Sequence, residues 1–420
     1  MLQIIEATSR RALEQFLARD RGADRAFERR VTAIVERVRA GGDTALLGFA
    51  RRFDGVRPPL EVSIEEMRAA AASVPADVRR AIRQAARHIA RVAGRQIPRG
   101  WAVEVASGVS VQQRVEPLAR VGCYVPGGRF PLPSSLLMTA VPARVAGVSE
   151  IIAVCPRPEP AVMAAALEAG VTRLFRVGGA HAIAALAYGT GTVPRVDKIV
   201  GPGNRYVAEA KARVSGDCAI DFYAGPTEIV IVAGSGRPAW IAADLVAQAE
   251  HDPEARSIFI TWSRALASRV ADSVARQEAG HDIVKRSLGA YGAAIVTRTA
   301  DEAMALANRI APEHLVVDRE ALARRSITAG AVFIGPFTAQ AAGDYATGSN
   351  HVLPTAGAAR FRGGLSAADF VRVMAVQRVT RAGLARLAPT ILPLARVEGL
   401  HAHAASIDIR LNRAAGQRQR

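Results

Sequence analysis

From Leu118 onward, short and almost unbroken apolar runs alternate with stretches of helical periodicity. The runs are Arg120–Val125, Ile151–Cys155, Arg173–Val177, Ile229–Ala233, Ser257–Thr261, Ala294–Thr297, Leu315–Asp318 and Ala331–Ile334. A strand that is apolar on both faces needs cover on both. Helices between successive strands supply that cover, so the rhythm predicts parallel sheets. The runs are too many for one tidy sheet. The expected fold is α/β, with two Rossmann-like parallel-sheet domains, a helical N-terminal part and a small C-terminal appendage.

The first hundred residues read as mainly helical. Asp43 is expected to cap a helix after Gly41-Gly42, and Ser63-Ile64-Glu65-Glu66 reads as a capping box. A helix is expected over Asp77–Ala93, and a strand pair over Trp101–Ala106 and Val109–Arg114, turning at Ser107-Gly108. From Pro389 to Arg420 the β-α rhythm has stopped, which marks that segment as an appendage.

Half of the 420 residues are apolar and 22% are charged, the balance of a globular chain with real cores. Cys123, Cys155 and Cys218 are odd in number and widely spaced, which argues against a disulfide framework and fits a reducing cytosol. No secretory signal is expected from Met1-Leu2-Gln3-Ile4-Ile5-Glu6, and no apolar stretch is long enough to span a bilayer. A net charge of +17 would suit a nucleic-acid partner. Yet Lys occurs only at 198, 211 and 285, the Arg are scattered, and only Arg410 to Arg420 is locally basic. The charge is read as a general preference for Arg over Lys, with no nucleic acid and no membrane as partner.

Histidines and acids cluster in the second half of the chain. Of eight His, five lie in or beside Gln248-Ala249-Glu250-His251, Pro312-Glu313-His314, Gly343-Asp344-Tyr345, Asn350-His351 and Glu398-Gly399-Leu400-His401-Ala402-His403. Imidazole, carboxylate and a neutral amide oxygen are the donor mix of a borderline metal such as zinc. Gln248 and His251, three apart in a helical run, would share one face; a solvated Gln and a His capping the helix end explain the same spacing. Glu313-His314 precedes a strand, where two adjacent bases could move protons; an exposed acid beside a half-buried His is the plain alternative. Asp344 lies in a Gly-bounded polar loop where Asp often serves only a turn, and His351 reads equally as a ligand or a structural donor. In a helix His401 and His403 would point apart, so one of the two is expected to serve.

Three pieces are glycine-rich, Val125-Pro126-Gly127-Gly128-Arg129, Val177-Gly178-Gly179-Ala180 and Gly201-Pro202-Gly203-Asn204, and the second follows an expected strand. The second and third open helices, whose amides suit a pyrophosphate. None is a full G-x-G-x-x-G, and tight turns explain all three.

Taken together, the segments from the N-terminal part to about Arg413 resemble the histidinol dehydrogenase family. The resemblance is carried by Gly122-Cys123-Tyr124-Val125-Pro126-Gly127-Gly128, Val200-Gly201-Pro202-Gly203-Asn204, Ala224-Gly225-Pro226-Thr227-Glu228, Gln248-Ala249-Glu250-His251, Ala311-Pro312-Glu313-His314, Gly343-Asp344-Tyr345, Asn350-His351-Val352-Leu353-Pro354-Thr355 and Glu398 to His403, in order. It implies oxidation of L-histidinol to L-histidine through the aldehyde in two NAD-dependent hydride transfers, with one zinc ion per active site. It implies Gln248, His251, Asp344 and His403 as metal ligands. His314 would be the principal base, with Glu313 activating water. Thr227 and Glu398 would contact substrate alongside the ligands and His314, and Tyr124, His181 and Asn204 would contact NAD. It also implies a cytoplasmic homodimer whose C-terminal segment crosses to the partner, carrying Glu398 and His403. Two positions depart from the family's usual residues, His181 in place of Gln and Thr227 in place of Ser.

On this basis the chain divides into an N-terminal arm (1–25), a first Rossmann-like domain (26–120 and 229–365), a second that contacts NAD (121–228) and a C-terminal dimerisation segment (366–420). The nearest rival is a dehydrogenase of the same fold acting on another small alcohol, such as a sulfonated propanediol. An Arg-rich nucleic-acid-binding protein and a non-catalytic zinc-stabilised scaffold are readings from other classes.

Overall fold

A computed structural model of the chain describes residues 2–18, 24–127, 131–223, 225–278 and 280–412. Its strands are β1 (Gln3–Glu6), β2 (Glu61–Val62), β3 (Trp101–Ala106), β4 (Val109–Pro117), β5 (Arg120–Tyr124), β6 (Glu150–Val154), β7 (Arg173–Phe175), β8 (Lys198–Val200), β9 (Ala219–Ile220), β10 (Glu228–Val232), β11 (Arg256–Thr261), β12 (Gly292–Val296), β13 (His314–Val317), β14 (Ala331–Ile334) and β15 (Val371–Val379). All eight runs expected from the alternating pattern are strands.

Contacts divide the chain into two compact units, one holding residues up to Gln96 with Ala119–Phe370, the other Ile97–Leu118 with the chain from Val371 on. The first unit contains two six-stranded sheets. One runs β1-β12-β11-β10-β13-β14, every neighbouring pair parallel. The other runs β2-β7-β6-β5-β8-β9, parallel except for the antiparallel edge strand β2. All five residues of β10 are buried, as a strand covered on both faces must be. One face of its sheet packs Ile229, Ile231 and Phe259 against helices Pro238–Ala249 and Arg264–Gln277. The other face packs Val230, Val232 and Ile258 against helix Ala300–Ile310.

The second sheet shares its core with the long helix Arg25–Phe49, through Phe27, Val31, Val35, Val38 and Leu46. Residues 25–62 therefore build onto the sheet of 120–220, which differs from the grouping of 26–120 with 229–365 drawn from the sequence. The chain does break at Gly42 (φ 50°), where a helix start was expected, but Asp43 does not cap it. Its carboxylate accepts from Thr192 N at 3.1 Å and Thr192 Oγ1 at 3.0 Å instead. Ser63 does cap helix Ile64–Ser73, accepting from Glu66 N at 3.1 Å, while the Glu66 carboxylate bonds Arg176 rather than closing the box.

The second unit is an antiparallel sheet, β15-β4-β3, with helices Arg381–Val397 and His401–Arg410 packed through Ala388, Leu392, Ala395 and Ala404. The hairpin turns at Gly108 (φ 78°), where a side chain would lie 2.3 Å from Thr380 Oγ1. The basic tail from residue 413 on, like Gly128 and Ala224 of the family motifs, lies outside the described residues.

Candidate active site

The reactive groups gather at the amino ends of β10 and β13, which pair in register with Ile229 opposite His314. Glu313, directly before β13, turns its carboxylate towards the start of β10. Its Oε2 accepts from Thr227 Oγ1 at 2.5 Å and from Glu228 N at 2.9 Å. Gln248, in the last turn of helix Pro238–Ala249, donates through Nε2 to the same Thr227 oxygen at 2.5 Å. His314 donates through Nδ1 to the Glu228 carbonyl at 3.2 Å. Its proton is thereby assigned to Nδ1, leaving Nε2 as the ring's acceptor. Glu228 is itself buried and accepts from Ala356 N through Oε1 at 2.8 Å.

Two buried atoms of this cluster, Gln248 Oε1 and His314 Nε2, have no hydrogen-bond partner. An unpaired buried acceptor costs roughly 1–3 kcal/mol, so such atoms persist where something else uses them. The electrostatics are equally lopsided. Burial pushes the Glu313 carboxyl up to about 8, and the Glu228 and Asp344 charges add to that, against the bonds from Thr227 and Glu228. Burial drives His314 down to about 3, aided by His351 and His251, which places those rings close by. The usual order of acid and base is inverted: at neutral pH the carboxyl keeps its proton and the imidazole is neutral.

Asp344 is buried in the short helix Gln340–Tyr345 rather than in an open loop. Its Oδ2 accepts from Gln340 Nε2 at 2.5 Å, and burial raises its pKa to about 6. His351 Nδ1 bonds the Asp344 carbonyl at 3.1 Å and lies 3.8 Å from its Oδ1; burial lowers this imidazole to about 4. Helix Gln340–Tyr345 packs against helix Pro238–Ala249, and the Asp344 charge acts on Glu313. His251 is not on that helix, as its three-residue spacing from Gln248 had suggested. The helix ends at Ala249, and His251 N reaches back to Gln248 O at 3.4 Å. His251 has access to solvent, yet its ring is crowded enough by protein for desolvation to lower its pKa. Glu398 and His403 belong to the second unit. Glu398 ends helix Arg381–Val397, His403 lies in helix His401–Arg410, and both are exposed.

Tyr124, His181 and Asn204 stand on the second sheet, at or beyond the carboxyl ends of β5, β7 and β8. Tyr124 Oη accepts from Gly179 N at 3.1 Å, and burial raises its pKa. His181, 1% exposed in helix Gly179–Tyr188, bonds Asp54 Oδ2 through Nε2 at 2.8 Å. Asn204 caps helix Arg205–Val214, accepting from Tyr206 N at 3.0 Å and Val207 N at 3.2 Å. Several amides expected to suit a pyrophosphate are thus already bonded by side chains, including Gly178 N to Asp54 at 3.0 Å. The tight-turn reading of these glycines is the one the structure supports.

Three comparisons bear on this arrangement. A profile of the family described as histidinol dehydrogenase matches residues 17–411. The chain is 48% identical to the histidinol dehydrogenase of Geobacter sulfurreducens over 410 residues, covering 94% of this chain and 96% of that protein. The chain belongs to the histidinol dehydrogenase family. The enzyme of that name from Caulobacter vibrioides is likewise 48% identical, with 95% and 96% covered. A crystal structure of histidinol dehydrogenase from Elizabethkingia anophelis superposes with a TM-score of 0.91 at 32% identity, covering 96% of each chain.

Among the described residues no three His, Cys, Asp or Glu form a metal cage by themselves. The ligand set that the resemblance implies does not require one, since Gln248 contributes an amide and His403 lies in the second unit. The donors of the first unit suit a divalent cation. Gln248 Oε1 is buried without a partner, and Asp344 is held by Gln340 through one oxygen. The charges that act on Glu313 are both carboxylates, so an added positive charge would relieve them.

Sequence reasoning missed Glu228, Gln340 and Asp54. Glu228 was visible only as the last letter of a motif. Gln340 and Asp54 act through folded contacts and carried no signal of their own.

Proposed function

We propose that the chain oxidises L-histidinol to L-histidine by way of the aldehyde, with NAD as oxidant and zinc as the metal. The observation that carries this reading is the adjacent pair Glu313 and His314, buried with inverted proton affinities beside an unpartnered Gln248 oxygen. Zinc held by Gln248, His251, Asp344 and His403 would supply Lewis acidity, and NAD would accept a hydride at each stage.

The residues then divide the proton work. His314, neutral and held through Nδ1, takes the alcohol proton on Nε2. Glu313 must first be ionised, which a cation in the pocket favours. Once ionised, it takes the proton of the water that attacks the aldehyde stage. Thr227 links the two halves of the pocket, since one hydroxyl contacts both Glu313 and Gln248. No thiol serves, because Cys123, Cys155 and Cys218 are buried and burial raises all three above their ordinary pKa.

The first sheet would be the catalytic half and the second, with Tyr124, His181 and Asn204, the NAD half. Glu398 and His403 would complete the site of a partner in a cytoplasmic homodimer. Their exposure supports this, as do Leu394, Val397, Leu400 and Ile409, exposed apolar residues around them. No described helix is long and apolar enough to cross a membrane.

The test is zinc content and L-histidinol-dependent NADH formation before and after chelation. Activity lost with the metal and restored by zinc is expected. Full activity in metal-free protein would remove zinc from the reading. Metal-replete protein that is inactive on L-histidinol but active on a sulfonated propanediol would replace the substrate.

A further inference from the structure

We propose that Asp54 is a positioning residue of the cofactor half of the site, acting through His181. This rests on the reading of the second sheet as the NAD half. Asp54 closes the helical segment that continues the long helix Arg25–Phe49, far in sequence from the glycine turn it serves. One carboxylate oxygen, Oδ2, accepts from Gly178 N at 3.0 Å and meets His181 Nε2 at 2.8 Å. A carboxylate only accepts, so Nε2 carries a proton and Asp54 sets which edge of the imidazole donates. The other nitrogen, Nδ1, lies 3.4 Å from where a side chain on Gly179 would begin, so it borders the turn itself.

The ring is fixed on its faces as well. Phe49 and Phe53 lie 5.9 Å and 6.0 Å from it, tilted, and stack on each other at 5.6 Å. Tyr124 Oη holds the next amide of the turn, Gly179 N, at 3.1 Å. The turn cannot drift: Gly179 has φ 58°, and a side chain on Gly178 would lie 2.7 Å from Pro156. Asp54, Tyr124 and two glycines thus make a rigid frame with His181 as its one adjustable polar group. It stands at the carboxyl end of a parallel sheet, where dinucleotides dock. With the Nε2 proton committed to Asp54, the Nε2–H tautomer presents Nδ1 as an acceptor. That atom suits a ligand donor such as a ribose hydroxyl or the carboxamide of NAD. Without Asp54 the proton can move to Nδ1, and the acceptor is lost.

The experiment is a double-mutant cycle in the full-length, zinc-loaded protein, Asp54→Asn against His181→Gln. It reads NAD affinity by calorimetry, KM for NAD, kcat and thermal midpoint. Asn keeps the size of the side chain and an oxygen for Gly178 N, but that oxygen is uncharged and holds the Nε2–H tautomer of His181 more weakly than a carboxylate does. Asp54→Asn alone is expected to weaken NAD binding about five- to tenfold, the worth of one hydrogen bond, with kcat within about twofold. In the His181→Gln background the same substitution is expected to change NAD affinity by less than about twofold, because an amide has no tautomer to set. An equal loss in both backgrounds would make Asp54 a brace of the Gly178 turn and overturn the proposal. Unchanged affinity in Asp54→Asn would also overturn it. Wild-type protein that neither binds nor reduces NAD would remove the function reading, and this proposal with it.

Discussion

The two large sheets are wound alike, and the proposed function uses them at opposite ends. In each, the chain steps outward from a central strand, β10 or β5, and then crosses back to fill the other side. Ligands of such sheets are expected at the carboxyl ends of the strands, where the winding reverses. With Tyr124 ending β5 and Asn204 following β8, the proposed NAD half would follow that rule. The proposed catalytic half would depart from it. Glu313 and His314 stand where β13 begins, and Thr227 and Glu228 where β10 begins. The polar groups differ too. In the second sheet Tyr124, His181 and Asn204 bond protein groups, whereas the first keeps Gln248 Oε1 and His314 Nε2 unpartnered. Satisfied groups make a stiff docking frame, and unsatisfied ones are where chemistry is held ready.

The largest expected break in this contrast is His314→Ala. Removing a general base should lower kcat by about 10²–10⁴ while metal content, NAD affinity and fold persist. Steady-state kinetics with metal analysis checks this, and unchanged turnover would move the base elsewhere. On the docking side, Gly201→Ala should destabilise the fold by about 3 kcal/mol. A side chain there would lie 2.2 Å from the Tyr124 carbonyl at φ 115°. Denaturant unfolding measures it, and a loss under about 1 kcal/mol would mean that the loop yields.

The buried strands were legible because an unbroken apolar run leaves few alternatives. The shorter β2, β8 and β9 were not, since two or three residues carry no period. β15 was missed for another reason. Most of it is exposed, and its partner β4 is distant in sequence. In the site, the adjacency of Glu313 and His314 was readable, but not their inverted proton affinities, which come from burial. His251 shows the limit of spacing arguments, because where a helix ends decides whether three residues share a face.

A smaller effect should appear in the metal-free protein as pH rises. Glu313 holds its proton to about 8 in the fold, against 4.5 ordinarily, so stability falls with pH between those values. Below 6.5 that loss is opposed, because His314 and His351 are held neutral down to about 3 and 4. Above 6.5 Glu313 acts without that opposition, and a loss of about 1.5 kcal/mol is expected between pH 6.5 and 8. Unfolding free energies across that range check it; zinc should flatten the slope, and a rise would contradict the burial argument. A loss of similar size is expected from Thr227→Val, which takes the hydroxyl from Gln248 and Glu313 at once. About 1–2 kcal/mol of stability should be lost, together with some metal affinity. A neutral outcome would mean that the two groups find each other directly.

The most direct test of the division of labour between Glu313 and His314 is the NADH formed per L-histidinol in a single turnover, wild type against Glu313→Gln. The wild type should give two. Glu313→Gln, which keeps His314 but cannot take a proton from water, should give one promptly and the second at least about a hundredfold more slowly. Two equally fast equivalents from the variant would contradict the account, because water activation would then not depend on Glu313.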